Sequence, residues 1–314
     1  MMSTCCNHSG NKTLASILPG KLNARQIFLS AAALMWLAVV ALPGLAHAAM
    51  PKFPTKECKA LQAKYPDWKG KTLVNAINPH TPGYEALDPK DPSKYIGFDI
   101  DLGEALGKCL GFKMSYKPVA FAALLPTLKA GQADIVISDI YATSPRAKAA
   151  DFITYSKVFD GVLVAKGNPK KITGINTSMC GLTAAENTGF VEVPLVQNLA
   201  ASCKKIGKPA PKLLLFDNNA QCIQAVLAGR ADTYINDVNT VEQAVKAYPD
   251  KLSKAVAVTL PYSVGIAVPK NNHKFRSAIR ESLIILQKAG IEKAFLTKWS
   301  LGAGHEEHPK LITH

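Results

Sequence analysis

The stretch FKMSYKPVAFAALLPTLKAGQADIVIS, residues 112–138, carries the pattern that decides the fold. FKMSYKPV predicts a strand, and FAALLPTLKAG predicts a helix that ends at Gly131. ADIVIS, residues 133–138, is a short apolar run that predicts a second strand. A strand, a helix and a strand joined by short connections are typical of a parallel sheet that is covered by helices.

The same alternation continues on both sides of this stretch. TLVNAI, residues 72–77, predicts a strand, and DIDLGEALGKCLG, residues 99–111, predicts a helix with apolar residues at helical spacing. A second series runs from Cys180 to the strand ADTYIND, residues 231–237. In both series a helix ends at a glycine two residues before Ala-Asp, and an apolar strand then ends in Asp. The chain is therefore predicted to be an α/β protein with room for two lobes.

The N-terminal segment has the features of a secretory signal peptide. Residues 27–42 carry no charge, Lys21 and Arg25 precede them, and AHA at residues 46–48 forms a small-x-small cleavage site. The apolar run is shorter than the ~20 residues of a membrane-spanning helix. An N-terminal membrane anchor is the alternative. We predict a signal peptide over residues 1–48, cleaved near Ala48, and an exported mature protein.

Charge and cysteine content narrow the functional class. The net charge is +14, and it falls to +11 after residues 1–48, which hold three basic and no acidic residues. The lysines are scattered and aromatic residues do not interleave with them, so no nucleic-acid partner is expected.

Five cysteines follow residue 48, none of them in a CxxC pair. Export favours disulfides, and because five is odd, one thiol should stay free. Cys222 lies in an apolar helical pattern and is interpreted as a core residue.

The sequence lacks the motifs of several enzyme classes. There is no GxSxG, GxxxxGK[ST] or strand-linked GxGxxG motif, and no spacing marks a catalytic triad. HEEH, residues 305–308, does not match HExxH spacing and precedes Pro309, so a solvated tail is expected rather than a metal cluster. No cofactor, metal site or catalytic residue is predicted.

Strand ends that lead into helices are candidate ligand contacts. In SDIYATSPR, residues 138–146, a strand ends at Ser138 and Asp139, and a helix begins at Thr143 or Ser144. The free N–H groups of a helix start can bind an anion, and Arg146 can add a bidentate grip on a carboxylate. A capped helix with a solvated arginine is the alternative.

Three further points complete the candidate site. Asp237 can pair with an ammonium group or cap the next helix. In ENTGF, Asn187 and Thr188 offer donors, again with capping as the alternative. Phe121 and Tyr84 can stack on a ligand side chain or pack in the core. Four of these residues together suit an α-amino acid, with a cation for its carboxylate, an anion for its ammonium and an aromatic wall: Arg146, Asp237, Thr188 and Phe121.

In its mature part the sequence resembles the periplasmic solute-binding proteins that feed polar amino acids to ABC importers. Four segments carry the resemblance, which covers nearly all of residues 70–300: YIGFDIDLGEALGKCLG, FAALLPTLKAGQADIVIS, ATSPRAKAADF and LAGRADTYIND. The resemblance implies a type II periplasmic-binding-protein fold of two α/β lobes joined by two hinge strands, near residues 161–166 and 262–268. The implied lobes are residues 49–164 plus 266–314 for lobe 1 and residues 165–265 for lobe 2.

The resemblance also implies a role for each site residue. Arg146 takes the position of the carboxylate-binding arginine with Thr143 as a cap beside it, and Asp237 that of the ammonium-binding aspartate. Phe121 corresponds to the stacking aromatic and Thr188 to a second-lobe contact of the carboxylate. The positions around the head group are those of Ser138, Asp139 and Tyr141. Small polar residues are common where Asp139 and Tyr141 stand, and Asp139 is hypothesised to favour a basic or hydrogen-bond-donating ligand.

The implied fold suggests two disulfides and a mechanism. The expected pairs are Cys58–Cys109 and Cys180–Cys203. An amino acid or amino-acid-like solute would be captured by hinge closure in the periplasm and delivered by a monomer to an ABC transporter permease. A cyclohexadienyl dehydratase-like enzyme on the same fold, with Glu186 or Asp139 as its general acid, is the alternative. A sensory ligand-binding domain is a third interpretation.

Overall fold

The computed structural model describes residues 50–313, so the predicted signal peptide lies outside the described residues. The helices are α1 (Thr55–Lys64), α2 (Phe98–Leu110), α3 (Leu124–Lys129), α4 (Ser144–Ala147), α5 (Glu192–Lys205), α6 (Asn219–Leu227), α7 (Val238–Ala247), α8 (His273–Lys288) and α9 (Ile291–Lys298). The strands are β1 (Thr72–Ile77), β2 (His80–Thr81), β3 (Glu85–Leu87), β4 (Tyr95–Ile96), β5 (Lys113–Pro118), β6 (Ala150–Ser156), β7 (Phe159–Ala165), β8 (Thr183–Asn187), β9 (Lys212–Phe216), β10 (Thr233–Asp237), β11 (Leu252–Thr259), β12 (Val264–Pro269) and β13 (Leu311–Ile312).

The main sheet of lobe 1 is assembled from two smaller sheets. Strands β1 and β5 pair in parallel, and β6 lies antiparallel between β12 and β13. The segment between α3 and α4 joins them, through a parallel bridge from Asn75 to Ile135 and an antiparallel bridge from Val136 to Ala267. This segment therefore lies at the centre of the lobe.

The predicted strand ADIVIS forms isolated bridges because side chains replace part of its backbone ladder. Asp134 Oδ2 accepts the N–H of Val74 at 2.8 Å. The Asn75 side chain accepts the N–H of Ile137 at 2.8 Å and donates to the carbonyl of Ile137 at 3.1 Å. These bonds fix the end of the segment, where Ser138 and Asp139 stand, against β1.

Lobe 2 has one five-stranded sheet with the strand order β11-β7-β10-β8-β9. Strand β7 runs antiparallel to both of its neighbours, and β8 runs parallel to β9 and β10. Buried residues point to both faces, with Leu163 and Tyr234 in one cluster and Val162 and Ile235 in the other. Asp232 repeats the contact of Asp134, since its Oδ2 accepts the N–H of Thr183, at the start of β8, at 2.8 Å.

Two connections link the sheets of the two lobes. The chain leaves the lobe 1 sheet between β6 and β7 and returns between β11 and β12. The predicted two-lobed α/β architecture is confirmed. None of the helices within residues 50–313 combines the length and apolar character that a membrane span requires.

Two disulfides tie helices to their neighbours. Cys58–Cys109 joins α1 to α2 with a Cα–Cα distance of 4.7 Å, and Cys180–Cys203 joins the segment before β8 to α5 with a distance of 5.5 Å. These are the two pairs expected from the sequence. Cys222 is free and buried in α6.

The C-terminal segment packs onto lobe 1, so the expectation of a solvated tail at residues 305–308 is wrong. Strand β13 pairs with β6 at the edge of the sheet. Thr154 donates its N–H to the carbonyl of Lys310 at 2.9 Å and accepts the N–H of Lys310 on its hydroxyl at 3.0 Å. Glu307 is only 6% exposed. The open edge of β6 offers backbone partners that the sequence pattern of the tail does not reveal.

Candidate functional site

A pocket lies between the two lobes, where several of the predicted site residues meet. Lobe 1 lines it with Phe121, Asp139, Tyr141 and Arg146. Lobe 2 lines it with Phe190, Val191, Glu192, Asn236 and Asp237. The free volume between these side chains is about 10 Å³, far below the roughly 300–1,000 Å³ of most ligand sites. The lobes are therefore close together around it.

Arg146 lies in the pocket and contacts both lobes. Thr143 caps the short helix α4 and accepts the N–H of Arg146 on its hydroxyl at 3.4 Å. The guanidinium donates to the carbonyl of Tyr141 at 2.9 Å and to the carbonyl of Gly189, in lobe 2, at 2.9 Å. Burial lowers the pKa of Arg146 to about 10, and the negative charge of Glu192 opposes this shift. The arginine thus remains a cation whose bonds go to carbonyl groups.

Asp237 ends β10 and faces Tyr141 across the pocket. Although Asp237 stands at the N-cap position of α7, its side chain makes no capping bond. The Tyr141 hydroxyl lies 3.1 Å from Asp160 Oδ1 and 3.3 Å from Asp237 Oδ1, as their shared donor. Burial raises the pKa of Asp237. A carboxyl group at this position can accept a ligand ammonium in place of the phenol.

Asp139 is held in an unusual backbone conformation. Its φ of +40° lies in the left-handed region, which aspartate tolerates better than most residues. The N–H of Asp139 donates to Asp99 Oδ2 at 2.6 Å. Its carboxyl group contacts that of Asp237, and its pKa is raised well above the usual range by burial and by the charge of Asp237. The geometry thus fixes this carboxyl group in the pocket wall.

Buried carboxyl groups form a row that passes through the pocket. Adjacent members of the row contact one another directly, through Tyr141 or, between Asp99 and Asp139, through the backbone N–H of Asp139. The members are Glu85, Asp99, Asp139, Asp237, Asp160 and Glu192. Burial raises the pKa of Asp99 to about 6 and the pKa of Asp160 to about 7. Within residues 50–313, no lysine, arginine or histidine forms an ion pair with any member.

Aromatic rings close one side of the pocket. The rings of Phe121 and Phe190 meet across the lobes with 4.2 Å between their centroids. The guanidinium of Arg146 lies over the Phe121 ring at 5.2 Å. Gly189 has a φ of +86°, and a Cβ atom added there would lie 3.1 Å from the Cβ of Ala122. The contact between the lobes is tight at this point.

Five predicted site residues lie outside the pocket lining, and one of them is Thr143, the cap of α4. Ser138 is buried behind it, where its hydroxyl accepts the N–H of Asn78 and donates to Glu85. Asn187 accepts the hydroxyl of Tyr234 at 2.7 Å. Tyr84 is fully buried against Phe98, which corresponds to the core-packing alternative. Thr188 is exposed and directs both its N–H and its hydroxyl to the carbonyl of Phe216, at 2.9 and 3.3 Å.

The residues predicted from the sequence do not include Phe190, Val191, Glu192, Asn236 or Asp160. Asn236 directly precedes Asp237 in a strand that is buried on both faces. A polar residue at this position of an apolar strand is a pattern that could have indicated a site residue. Glu192 follows ENTGF closely but begins α5 without a distinguishing pattern. No cluster of three or more metal-ligating side chains is found in the described part of the chain.

Comparison with known proteins gives a consistent result. Residues 73–302 match the family described as bacterial extracellular solute-binding proteins, family 3. A probable histidine-binding protein of Neisseria gonorrhoeae is 30% identical over 226 residues, which cover 70% of this chain and 80% of that protein. The structure of an ancestral arginine-binding protein bound to arginine superposes with a TM-score of 0.66 at 28% identity, covering 73% of this chain and 97% of that one. The ancestral amino acid-binding protein AncCDT-1, a precursor of cyclohexadienyl dehydratase, shares the fold with a TM-score of 0.58 at 24% identity, covering 77% and 98%.

Proposed function

Because the chain belongs to the bacterial extracellular solute-binding proteins, family 3, we propose that it binds an α-amino acid between its lobes and delivers it to an ABC importer. One observation carries this proposal: Arg146 and Asp237, from opposite lobes, line the same pocket. An arginine suits a carboxylate and an aspartate suits an ammonium group. Phe121 provides the apolar wall beside them.

On binding, the ligand replaces two hydrogen bonds that the protein forms between its own groups. The carboxylate of the amino acid takes the place of the Gly189 carbonyl on Arg146. The ammonium group takes the place of the Tyr141 hydroxyl on Asp237. The lobes separate to admit the ligand and close again over it, because a free volume of about 10 Å³ between them is too small for an amino acid. Closure removes water and strengthens both charged contacts.

We place the lobe boundaries at the connections between β6 and β7 and between β11 and β12, rather than at residues 164–165 and 265–266. What supports this division is the strand pairing, since β7 pairs along its length with β10 and β11. Strand β12 pairs with β6 in the other lobe. The hinges would then be residues 157–158 and 260–263.

Family membership supports a proposal on the location and partners of the protein. We propose that the chain is exported, loses residues 1–48 near Ala48, and works in the periplasm as a monomer without a nucleic-acid partner. Its direct protein partner would be the permease of an ABC importer. Analytical ultracentrifugation and N-terminal sequencing of the secreted protein test the monomer and the cleavage site.

We also take the chain to be a binding protein rather than an enzyme. The relative with 30% identity is named as a binding protein. Of the two candidate general acids, Glu186 accepts the N–H of Ile235 at 3.3 Å and does not line the pocket, whereas Asp139 does line it. Incubation with prephenate or arogenate should yield no aromatic product, and product formation would favour the cyclohexadienyl dehydratase alternative.

Arg146→Ala tests the binding proposal directly. A thermal-shift screen of amino acids should find a ligand that stabilises the wild-type protein, by about 4 kcal/mol at a thousandfold excess over Kd. Arg146→Ala should abolish the shift because the carboxylate loses its cation. Arg230→Ala, which removes an exposed guanidinium, should leave it unchanged. Equal shifts in wild type and Arg146→Ala would contradict the site.

A further inference from the structure

The pocket holds more carboxyl groups than the head group of an amino acid requires. Three carboxyl groups line it, those of Asp139, Glu192 and Asp237, beside the single basic side chain of Arg146. In the proposed function, Arg146 and Asp237 hold the carboxylate and ammonium groups of the ligand. Asp139, whose carboxyl group contacts that of Asp237, and Glu192 then supply two further carboxyl groups that the head group of the ligand does not need.

These two carboxyl groups are buried with open acceptor positions. Asp139 is 6% exposed and Glu192 is 1% exposed. Within the described residues, no N–H or hydroxyl group donates to Asp139 Oδ1 or to Glu192 Oε2, and both polar atoms of the Asn236 side chain also lack partners. Buried polar atoms without partners are costly. A ligand side chain that brings several donors would satisfy them.

The groups behind Asp139 are carboxyl groups and not basic side chains. Asp99 accepts the N–H of Asp139, and Glu85 contacts Asp99 in turn. Glu85 and Asp99 are both at least 99% buried. In such surroundings a charge interacts strongly with its neighbours. A cation beside Asp139 would favour the ionised form of this row, whereas a neutral side chain would not.

The aromatic wall suits a cation as well. Phe121 and Phe190 both line the pocket, and a ring face attracts a guanidinium or an ammonium group. The guanidinium of Arg146 lies 5.2 Å from the centre of the Phe121 ring. This wall thus already accepts one planar cation, that of Arg146.

We infer that the ligand is an amino acid with a guanidinium or ammonium group in its side chain, and that Asp139 is the residue that selects it. This inference rests on the proposed function, in which Arg146 and Asp237 hold the head group. The backbone of Asp139 is held in place, because its N–H donates a hydrogen bond to Asp99.

Matched ligand pairs test the charge requirement. Isothermal titration of the wild-type protein compares arginine with citrulline, which has nearly the same shape without the charge, and lysine with norleucine. The cationic member of at least one pair is expected to bind at least tenfold tighter than its neutral partner. If neutral members bind as tightly as cationic ones, or if only other neutral amino acids bind, the inference is wrong while the proposed function stands. If no amino acid binds, the proposed function itself fails.

Substitutions test the role of Asp139. Asp139→Asn and Asp139→Ser should reduce the preference for the cationic member to about threefold or less, with binding of the neutral member retained. Two substitutions are used so that a folding defect in one of them does not leave the role undecided. Glu57→Gln, which removes an exposed carboxylate on α1, should keep the wild-type preference. A tenfold preference that survives in an Asp139 variant would overturn the assignment of this residue.

Discussion

At the scale of single residues, Asp160 shows how burial changes a carboxyl group. Asp160 in β7 stands directly opposite Asp237 in the antiparallel ladder with β10. Like charges at such positions repel each other. Burial, followed by the charge of Asp237, raises the pKa of Asp160 to about 7. The folded protein therefore keeps a proton on this side chain that an exposed aspartate would lose.

Asp160→Asn should flatten the pH dependence of stability. Between about pH 4 and pH 7 the unfolded chain binds fewer protons at this position than the folded protein, so the free energy of unfolding falls as pH rises. Asparagine cannot ionise, so this contribution is absent from the variant. Between pH 5 and pH 8 the free energy of unfolding of wild type should fall further than that of the variant, by at least about 1 kcal/mol. Urea unfolding at both pH values measures the difference.

Asp250→Asn provides the control, because it changes an exposed aspartate in the same lobe. This variant should follow the wild-type pH dependence. If Asp160→Asn lost as much stability as wild type between the two pH values, the raised pKa of Asp160 would be contradicted.

Site residues could be predicted where a local pattern is sufficient. Arg146 and Asp237 stand at ends of elements that the sequence marks clearly, and the structure brings both to the pocket. The position of Thr188 depends instead on the pairing of β8 with β9, which places the carbonyl of Phe216 beside it. Such a partner lies 28 residues away, and no local pattern identifies it. The roles of the site residues in binding stay predictions.

At the scale of secondary-structure elements, the two halves share a specific contact. In each, the aspartate of an Ala-Asp pair accepts the N–H of a strand in the same lobe, Asp134 from Val74 and Asp232 from Thr183. Both bonds are 2.8 Å long. The similarity that appeared in the sequence as a repeated pattern is therefore a repeated way of joining two strands.

Asp134→Ala should destabilise lobe 1. The N–H of Val74 would lose its carboxylate acceptor, which should lower the free energy of unfolding by about 1–3 kcal/mol. Asp134→Asn keeps a carbonyl oxygen in the same place and should recover most of the loss. Chemical denaturation of both variants gives the comparison, and equal stability of the two would rule out this bond as the cause.

The order of the elements could be predicted because helices and strands differ in their apolar spacing. The irregularity of ADIVIS could not, since it depends on Asn75 and Asp134 replacing backbone partners. The same limit applies to the C-terminal strand β13, whose partner β6 lies some 150 residues earlier in the chain. Pairing between distant segments is decided by the whole fold.

At the scale of the whole molecule, a few contacts hold the lobes together around the pocket. Arg146 donates to the Gly189 carbonyl, and the Asn219 side chain donates to the carbonyl of His80 at 2.9 Å. The Phe121 ring meets that of Phe190 nearby. With the buried bonds of Tyr141 to Asp160 and Asp237, these contacts are still few, so the separation of the lobes should respond to single substitutions.

Gly189→Ala should shift the molecule towards a more open form. The φ of +86° is unfavourable for alanine, and the new Cβ would lie 3.1 Å from Ala122 in the other lobe. Small-angle X-ray scattering should show a larger radius of gyration than for wild type. Gly229→Ala has a similar φ of +67° but no neighbour within 4 Å, and it should leave the radius unchanged. A compact Gly189→Ala variant would mean that this contact does not limit closure.

The state of the cysteines has a practical consequence. Within residues 50–313, four cysteines are joined in disulfides and the fifth is buried, with a pKa that burial raises above the usual range. A maleimide dye would therefore find no accessible native thiol in this part of the chain. Thr188→Cys would introduce a single attachment point at the mouth of the cleft. The labelled protein would report lobe movement as a change in fluorescence and could serve as a reagentless sensor for its ligand.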